Sequence, residues 1–230
     1  MTSILETITS IIAPHSCFVC GDENNMLCKK CAAVAASLYK QNCFMCGLAR
    51  SGYAACELCA PRSVLKSLYV LGLYAPPLDY LVGQLKYQGV RQFAADAAVA
   101  LADITIPAKP AIVTYVPTSA RRMRVRSYDQ AALLAKHYAK HIGAPLIPLF
   151  ERRGNQHQVG ADRAARLAQA ETMLQLRSVS AAKAIAGAHV YIVDDVYTTG
   201  ASLGRCAALL DHFDPKQING VVIARQMNNS

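Results

Sequence analysis

The sequence predicts an α/β protein, a mostly parallel sheet flanked by helices over residues 62–230, with a small cysteine-rich module ahead of it at 1–61. Two observations carry this. Beyond residue 64, apolar β-branched runs alternate with helical stretches of roughly 10 to 15 residues, the rhythm of a parallel sheet. Before residue 61, cysteines and turn residues dominate, and apolar side chains are too few to build a core unaided. The whole chain, 230 residues with 53% hydrophobic and 17% charged, can bury a sizeable core, which excludes a disordered polymer.

In chain order, residues 1–12 read as a short amphipathic helix. The stretch lacks a basic start, carries Glu6 and offers no small-residue cleavage site before Pro14, so it is not read as a signal peptide. No apolar run reaches the roughly 20 residues a spanning helix needs, and the protein is expected to be cytoplasmic, without membrane insertion. Eight of nine cysteines then fall in four C-x2-C pairs: Cys17/Cys20, Cys28/Cys31, Cys43/Cys46 and Cys56/Cys59. In a reducing compartment this spacing means metal ligation, since each pair sets two soft thiolates on one tight turn and two turns close a tetrahedral zinc site. Two structural zinc ions are expected, replacing the missing core. Sequential and crossed pairing both remain open. With eight thiolates and two zinc ions, the formal charge of +9 falls to about +5, still basic. A short helix at 32–40 separates the second and third pairs.

Strands are expected at 67–74, 111–116, 146–150, 189–193 and 220–224, and helices at 78–87, 91–102, 129–141, 162–176 and 201–212. One junction carries chemistry. Val190-Tyr191-Ile192-Val193 reads as a buried parallel strand, and it runs into Asp194-Asp195-Val196-Tyr197-Thr198-Thr199-Gly200-Ala201-Ser202 before the last helix. Gly200 permits positive φ, so backbone N–H groups can curl around an anion; Thr198, Thr199 and Ser202 add hydroxyls, and the helix start adds its positive end. Asp194 and Asp195 lie where open α/β sheets bind ligands and suit the two vicinal hydroxyls of a ribose. A helix cap needs one acid, not two after a buried strand. The segment thus reads as a phosphate loop for a phosphorylated ribose.

The loop resembles the signature of type I phosphoribosyltransferases, and with the four cysteine pairs the chain resembles the ComF family of bacterial competence proteins over nearly its whole length. The likeness includes Pro14, Leu85-Lys86-Tyr87-Gln88-Gly89, Val116-Pro117-Thr118-Ser119, and Gln158 ahead of Arg163. It implies a type I phosphoribosyltransferase-like fold with an N-terminal double zinc ribbon, and phosphoribosyl pyrophosphate with magnesium as ligand. It also implies a pyrophosphate side: the turn at 117–120, with Thr118 and Ser119, then a flexible cationic segment holding Arg121, Arg122, Arg124 and Arg126, with Lys86 a further candidate. Planar guanidinium forks suit pyrophosphate or a nucleic-acid backbone. Where the family usually shows Arg-Gly-Phe-Asn-Gln, this chain has Arg126-Ser127-Tyr128-Asp129-Gln130. Loss of the glycine is expected to stiffen the hinge, and Asp129 to put a negative charge near the ligand unless magnesium intervenes.

The function this implies is uptake or handling of single-stranded DNA in natural transformation, with phosphoribosyl pyrophosphate, the DNA and the uptake machinery as partners. A homodimer is a fold-level expectation. The alternatives are a nucleotide-salvage transferase and a non-catalytic sensor of the sugar phosphate. No residue stands out as a general base for an acceptor, and no catalytic residue is assigned. His157, beside Gln158 and with Arg152 and Arg153 upstream, reads as a surface-loop histidine rather than one on the acceptor side, Cys206 as a small buried residue, and Tyr191 and Tyr197 as core or rim packing rather than platforms for a base.

Overall fold

A computed structural model describes residues 15–105, 107–152 and 174–227. The helix expected at 1–12, Pro14, Arg153, His157, Gln158, Arg163 and most of the helix expected at 162–176 lie outside them.

The central sheet has four strands in the order β1 (Leu65–Leu73), β6 (Gln217–Arg225), β5 (His189–Tyr197) and β2 (Ala111–Tyr115). Every pairing is parallel, as the alternation of strands with helices requires. Leu146 adds one bridge outside β2, at Val113. The intervening helices are α1 (Lys29–Leu38), α2 (Leu78–Gly83), α3 (Gln92–Ile104), α4 (Ala120–Arg126), α5 (Gln130–Ile142), α6 (Val179–Lys183) and α7 (Ala201–Asp211). A single π-type turn, Gln84–Gln88, continues α2.

Side chains alternate across the strands, and both faces are covered. Tyr191 and Val193 of β5 join α3 and α5 in one core; Val190 and Ile192 join α7 in the other. A two-stranded antiparallel piece, β3 (Phe150–Arg152) with β4 (Leu174–Leu176), stands apart from the main sheet. Residues 174–176 are thus strand, where the sequence pattern suggested the end of a helix: Leu174 is buried and cross-strand bonding to β3 outweighs local helical preference.

The cysteine module packs against the β1 edge and divides between the two faces. Leu27 and Ala32, beside the first two pairs, enter the core of α3 and α5, whereas Tyr39, Cys43, Phe44 and Cys56 enter the core of α7. Residues 53–55 lie alongside β1, with Leu68 N–H donating to Tyr53 O and Ala55 N–H to Lys66 O. An edge strand is thereby shielded.

Candidate functional site

The cysteines form two groups of four. Cys17, Cys20, Cys28 and Cys31 make one cluster and Cys43, Cys46, Cys56 and Cys59 the other, with the sulfurs of each within 4.8 Å of one another. The pairing is therefore sequential, which spacing alone had left open. All eight are free thiols. The Cys20–Cys28 and Cys46–Cys56 sulfur separations, 3.6 Å each, approach the roughly 3.8 Å edge of a tetrahedron with Zn–S bonds near 2.3 Å. Gly21 and Gly47 follow the first knuckle of each cluster at φ 78° and 76°, letting their N–H groups turn back to Cys17 O and Cys43 O. Burial raises the Cys17 and Cys43 thiols, but N–H groups such as those of Cys28 and Cys56 outweigh it and bring each down to about 6. One sulfur per cluster is thus poised as a thiolate. Each cluster suits a closed structural zinc site; with four protein ligands it leaves no open position for chemistry.

The phosphate-loop residues converge at the carboxyl end of β5. Asp194 and Asp195 sit half-buried on the strand, Thr198 and Thr199 are exposed in the turn, and Ala201 and Ser202 open α7. Gly200 caps α7 at φ 79°, and a Cβ there would fall 2.3 Å from the Tyr197 hydroxyl. Both conformation and space therefore demand glycine. Burial and then the adjacent Asp195 carboxylate push Asp194 up to about 8, despite a 2.8 Å bond from the Asp195 N–H. Two acids on one strand end cannot both ionise freely without a cation or a donor between them.

Cations come from three other segments. Lys86, in the π-type turn, pairs with Asp195 at 3.0 Å, both side chains under one-fifth exposed. Arg152, at the end of β3, donates from Nε to Pro117 O at 2.8 Å, so it ties the turn at 117–120 to β3. Burial lowers its pKa while Asp194 favours its charge. Sequence patterning gave Arg152 no role; it lies 42 residues before Asp194, and no local motif marks it.

The arginine segment forms helix α4, with Arg121, Arg122 and Arg124 exposed. Ser119 caps it, its hydroxyl accepting from Arg122 N–H at 3.5 Å. Arg126 turns the other way: its guanidinium bonds Gln130 Oε1 at 3.0 Å and lies 5.2 Å over the ring of Tyr87. Asp129 is accounted for locally. It caps α5 through Ala132 N–H at 3.1 Å and accepts the Thr118 N–H at 2.7 Å, so it fixes the turn at 117–120. Ser127 stands at φ 61° as the cap of α4, the left-handed conformation that makes glycine the easy choice at this position. Among the other residues, Cys206 is fully buried on α7, and Tyr191 and Tyr197 are buried beside the loop.

A parallel sheet with paired acids, a Thr-Thr-Gly turn and a helix start at its carboxyl edge defines a phosphoribosyltransferase-type domain, and residues 129–229 match the phosphoribosyl transferase domain family. With two four-cysteine clusters ahead of that domain, the chain is similar in layout to the ComF-type proteins it matches. It is 30% identical over 148 residues to a DNA utilization protein, YhgH, of Salmonella typhi, spanning 60% of this chain and 62% of that one. It is 25% identical over 195 residues to competence protein ComFC of Bacillus subtilis, covering 80% of this chain and 77% of that relative. A hypoxanthine phosphoribosyltransferase structure from Staphylococcus aureus superposes at a TM-score of 0.35 with 11% identity, over 63% of this chain and 76% of its own. Among the described residues no helix is long and apolar enough to cross a membrane.

Proposed function

We propose that the site binds phosphoribosyl pyrophosphate with magnesium, and that the protein works in the cytoplasm in the uptake or handling of single-stranded DNA. The observation that carries the ligand reading is the Lys86–Asp195 contact at 3.0 Å. It brings a cation from the π-type turn directly against the paired acids at the end of β5. In this reading Asp194 and Asp195 accept hydrogen bonds from the ribose hydroxyls. The N–H groups and hydroxyls of Thr198, Thr199 and Ser202 hold the 5′-phosphate. Lys86, Thr118, Ser119 and the exposed Arg121, Arg122 and Arg124 of α4 face the pyrophosphate, while Arg126 is turned onto Tyr87 and Arg152 braces the turn through Pro117 O. Magnesium, when bound, would neutralise pyrophosphate charge beside the acids. Should turnover occur, a nitrogen nucleophile displaces pyrophosphate at C1 of the ribose, and these residues act by positioning and charge stabilisation.

Two observations support the DNA reading. The named relatives are a DNA utilization protein and a competence protein. Tyr87 is 70% exposed, its ring is stacked under Arg126, and it neighbours a helix with three exposed arginines. An exposed ring beside guanidinium groups suits base stacking along a backbone held by charge.

Fluorescence anisotropy of a labelled single-stranded oligonucleotide, at two salt concentrations and with or without phosphoribosyl pyrophosphate and magnesium, tests both parts. Binding that weakens steeply with salt and shifts with the ligand is expected. Absence of binding at low salt would sink the DNA reading. A pyrophosphate-release assay with nitrogenous acceptors would then decide between a transferase and a sensor.

A further inference from the structure

The second cysteine cluster is wired to the phosphate loop, and the first is not. Arg225, at the end of β6, is 8% exposed. Its Nη1 donates to Tyr39 Oη at 3.2 Å and to Asn42 Oδ1, and its Nη2 donates to Phe44 O at 3.1 Å. Among the described residues no carboxylate lies within ion-pair distance of it. A buried cation whose acceptors are all neutral is held only as well as those acceptors are held. Asn42 and Phe44 flank Cys43, a buried ligand of the second cluster.

The same carbonyl serves the loop. Tyr197 Oη donates to Phe44 O at 3.4 Å, the Phe44 and Tyr197 rings meet edge to face at 6.5 Å, and Arg225 lies 5.7 Å over the Tyr197 ring. Tyr197 and Arg225 are register partners across β5 and β6. The Tyr197 hydroxyl then fills the space where a side chain at Gly200 would stand. A chain of contacts thus runs from Cys43 through Phe44 O and Tyr197 to the glycine that turns the loop.

We infer that Tyr197 is a positioning residue through which metal at the second cluster sets the phosphate loop, so that zinc occupancy there, and not at the first cluster, governs loop order and phosphate affinity. The metal fixes the Cys43–Cys46 knuckle and with it the Phe44 carbonyl. Losing the metal frees that carbonyl, and Arg225 and Tyr197 lose their common acceptor. The affinity part rests on reading 198–202 as a phosphate loop; the loop-order part does not.

The test follows hydrogen exchange of peptides spanning 195–203 in the full chain without ligand, with zinc content measured in parallel. Tyr197→Phe keeps the ring and all thiolates but removes the hydroxyl. Cys46→Ser and Cys20→Ser each remove one exposed thiol, from the second and first cluster respectively. Tyr197→Phe and Cys46→Ser are each expected to speed exchange of the loop about fivefold or more, the worth of one lost hydrogen bond. Cys20→Ser, having lost its own zinc, is expected to leave the loop at the wild-type rate. Equal acceleration by both cysteine variants, or a wild-type rate in Tyr197→Phe, would overturn the inference. Should Cys46→Ser not fold, Tyr197→Phe decides alone. Calorimetry with ribose 5-phosphate is the second readout: weaker binding in Tyr197→Phe is expected. If wild type binds no ribose 5-phosphate while the exchange pattern holds, the ligand reading fails and the coupling stands.

Discussion

The two cysteine clusters have the same four-thiol ligand set and the same glycine-turned first knuckle, yet they are fastened to the domain by opposite means. The first is held by an acid: Asp96 of α3, 8% exposed, accepts the N–H groups of Met26 at 2.6 Å and Leu27 at 3.1 Å, with Gln92 bonding its other oxygen at 2.9 Å. The second is held by a base, Arg225, whose acceptors include a Phe44 carbonyl shared with Tyr197 of the phosphate-loop strand. Among the described residues Asp96 leads to helix packing, while Arg225 leads to Tyr197 on the strand of the paired acids. Equal metal chemistry thus supports unequal roles, and the difference lies in what each knuckle's backbone touches.

Removing metal from both clusters breaks the comparison outright. A strong chelator should unfold 17–59 and cost the protein several kcal/mol, because metal binding there is folding free energy. Differential scanning calorimetry with parallel zinc analysis would register it, and an unchanged melting profile after full zinc loss would contradict a structural role for the clusters.

Single anchors separate the two. Arg225→Met should destabilise by about 2 to 4 kcal/mol, since three acceptors lose a buried charged donor, and should also weaken sugar-phosphate binding. Asp96→Ala should cost about 1 to 3 kcal/mol by stranding two N–H groups, yet leave ligand affinity alone. Urea unfolding paired with calorimetric titration measures both quantities. Loss of affinity in Asp96→Ala would erase the distinction between the clusters.

The loop that the second cluster supports should also carry its own pH signature. Asp194 titrates near 8 in the folded chain and near 3.9 unfolded. Between those values the folded state holds a proton that the unfolded state has released, so stability falls as pH rises across the window and levels off beyond it. Urea midpoints from pH 5 to 8 should slope downward more steeply in wild type than in Asp194→Asn. The cysteines titrate alike in both, so the difference between the two slopes isolates Asp194.

The smallest expected effect is at Ser127. Its φ of 61° costs a non-glycine residue roughly 1 kcal/mol, and Ser127→Gly should recover about half of it, the remainder going to added freedom in the unfolded chain. A thermal midpoint that drops in Ser127→Gly would show that the serine side chain contributes more than its strained backbone costs.

Much of this was legible in order along the chain. The strand, paired acids, Thr-Thr-Gly turn and following helix are neighbours in sequence, so their geometry follows from local rules. The boundaries of β5 and α7 were less legible: β5 runs on through Asp194 and Asp195 to Tyr197, because pairing with β6 continues to Arg225. The helical form of the arginine segment was not legible, because four arginines in six residues carry no apolar period and nothing local shows that Ser119 caps it. Asp129 read as a liability because its partner Thr118 lies across a turn.

By itself the sequence determined the four cysteine pairs, the order of strand, paired acids, Thr-Thr-Gly turn and helix, and the alternation that makes a parallel sheet, since each is written in residues a few positions apart. Tertiary structure decided which cysteine pairs cluster together, that Arg152 meets the turn at 117–120, that Lys86 meets Asp195, and that Phe44 beside one cluster meets Tyr197. Those contacts, with those of Arg225, join residues from 8 to 186 positions apart. Their free energy depends on which groups folding buries together, and no local pattern encodes that.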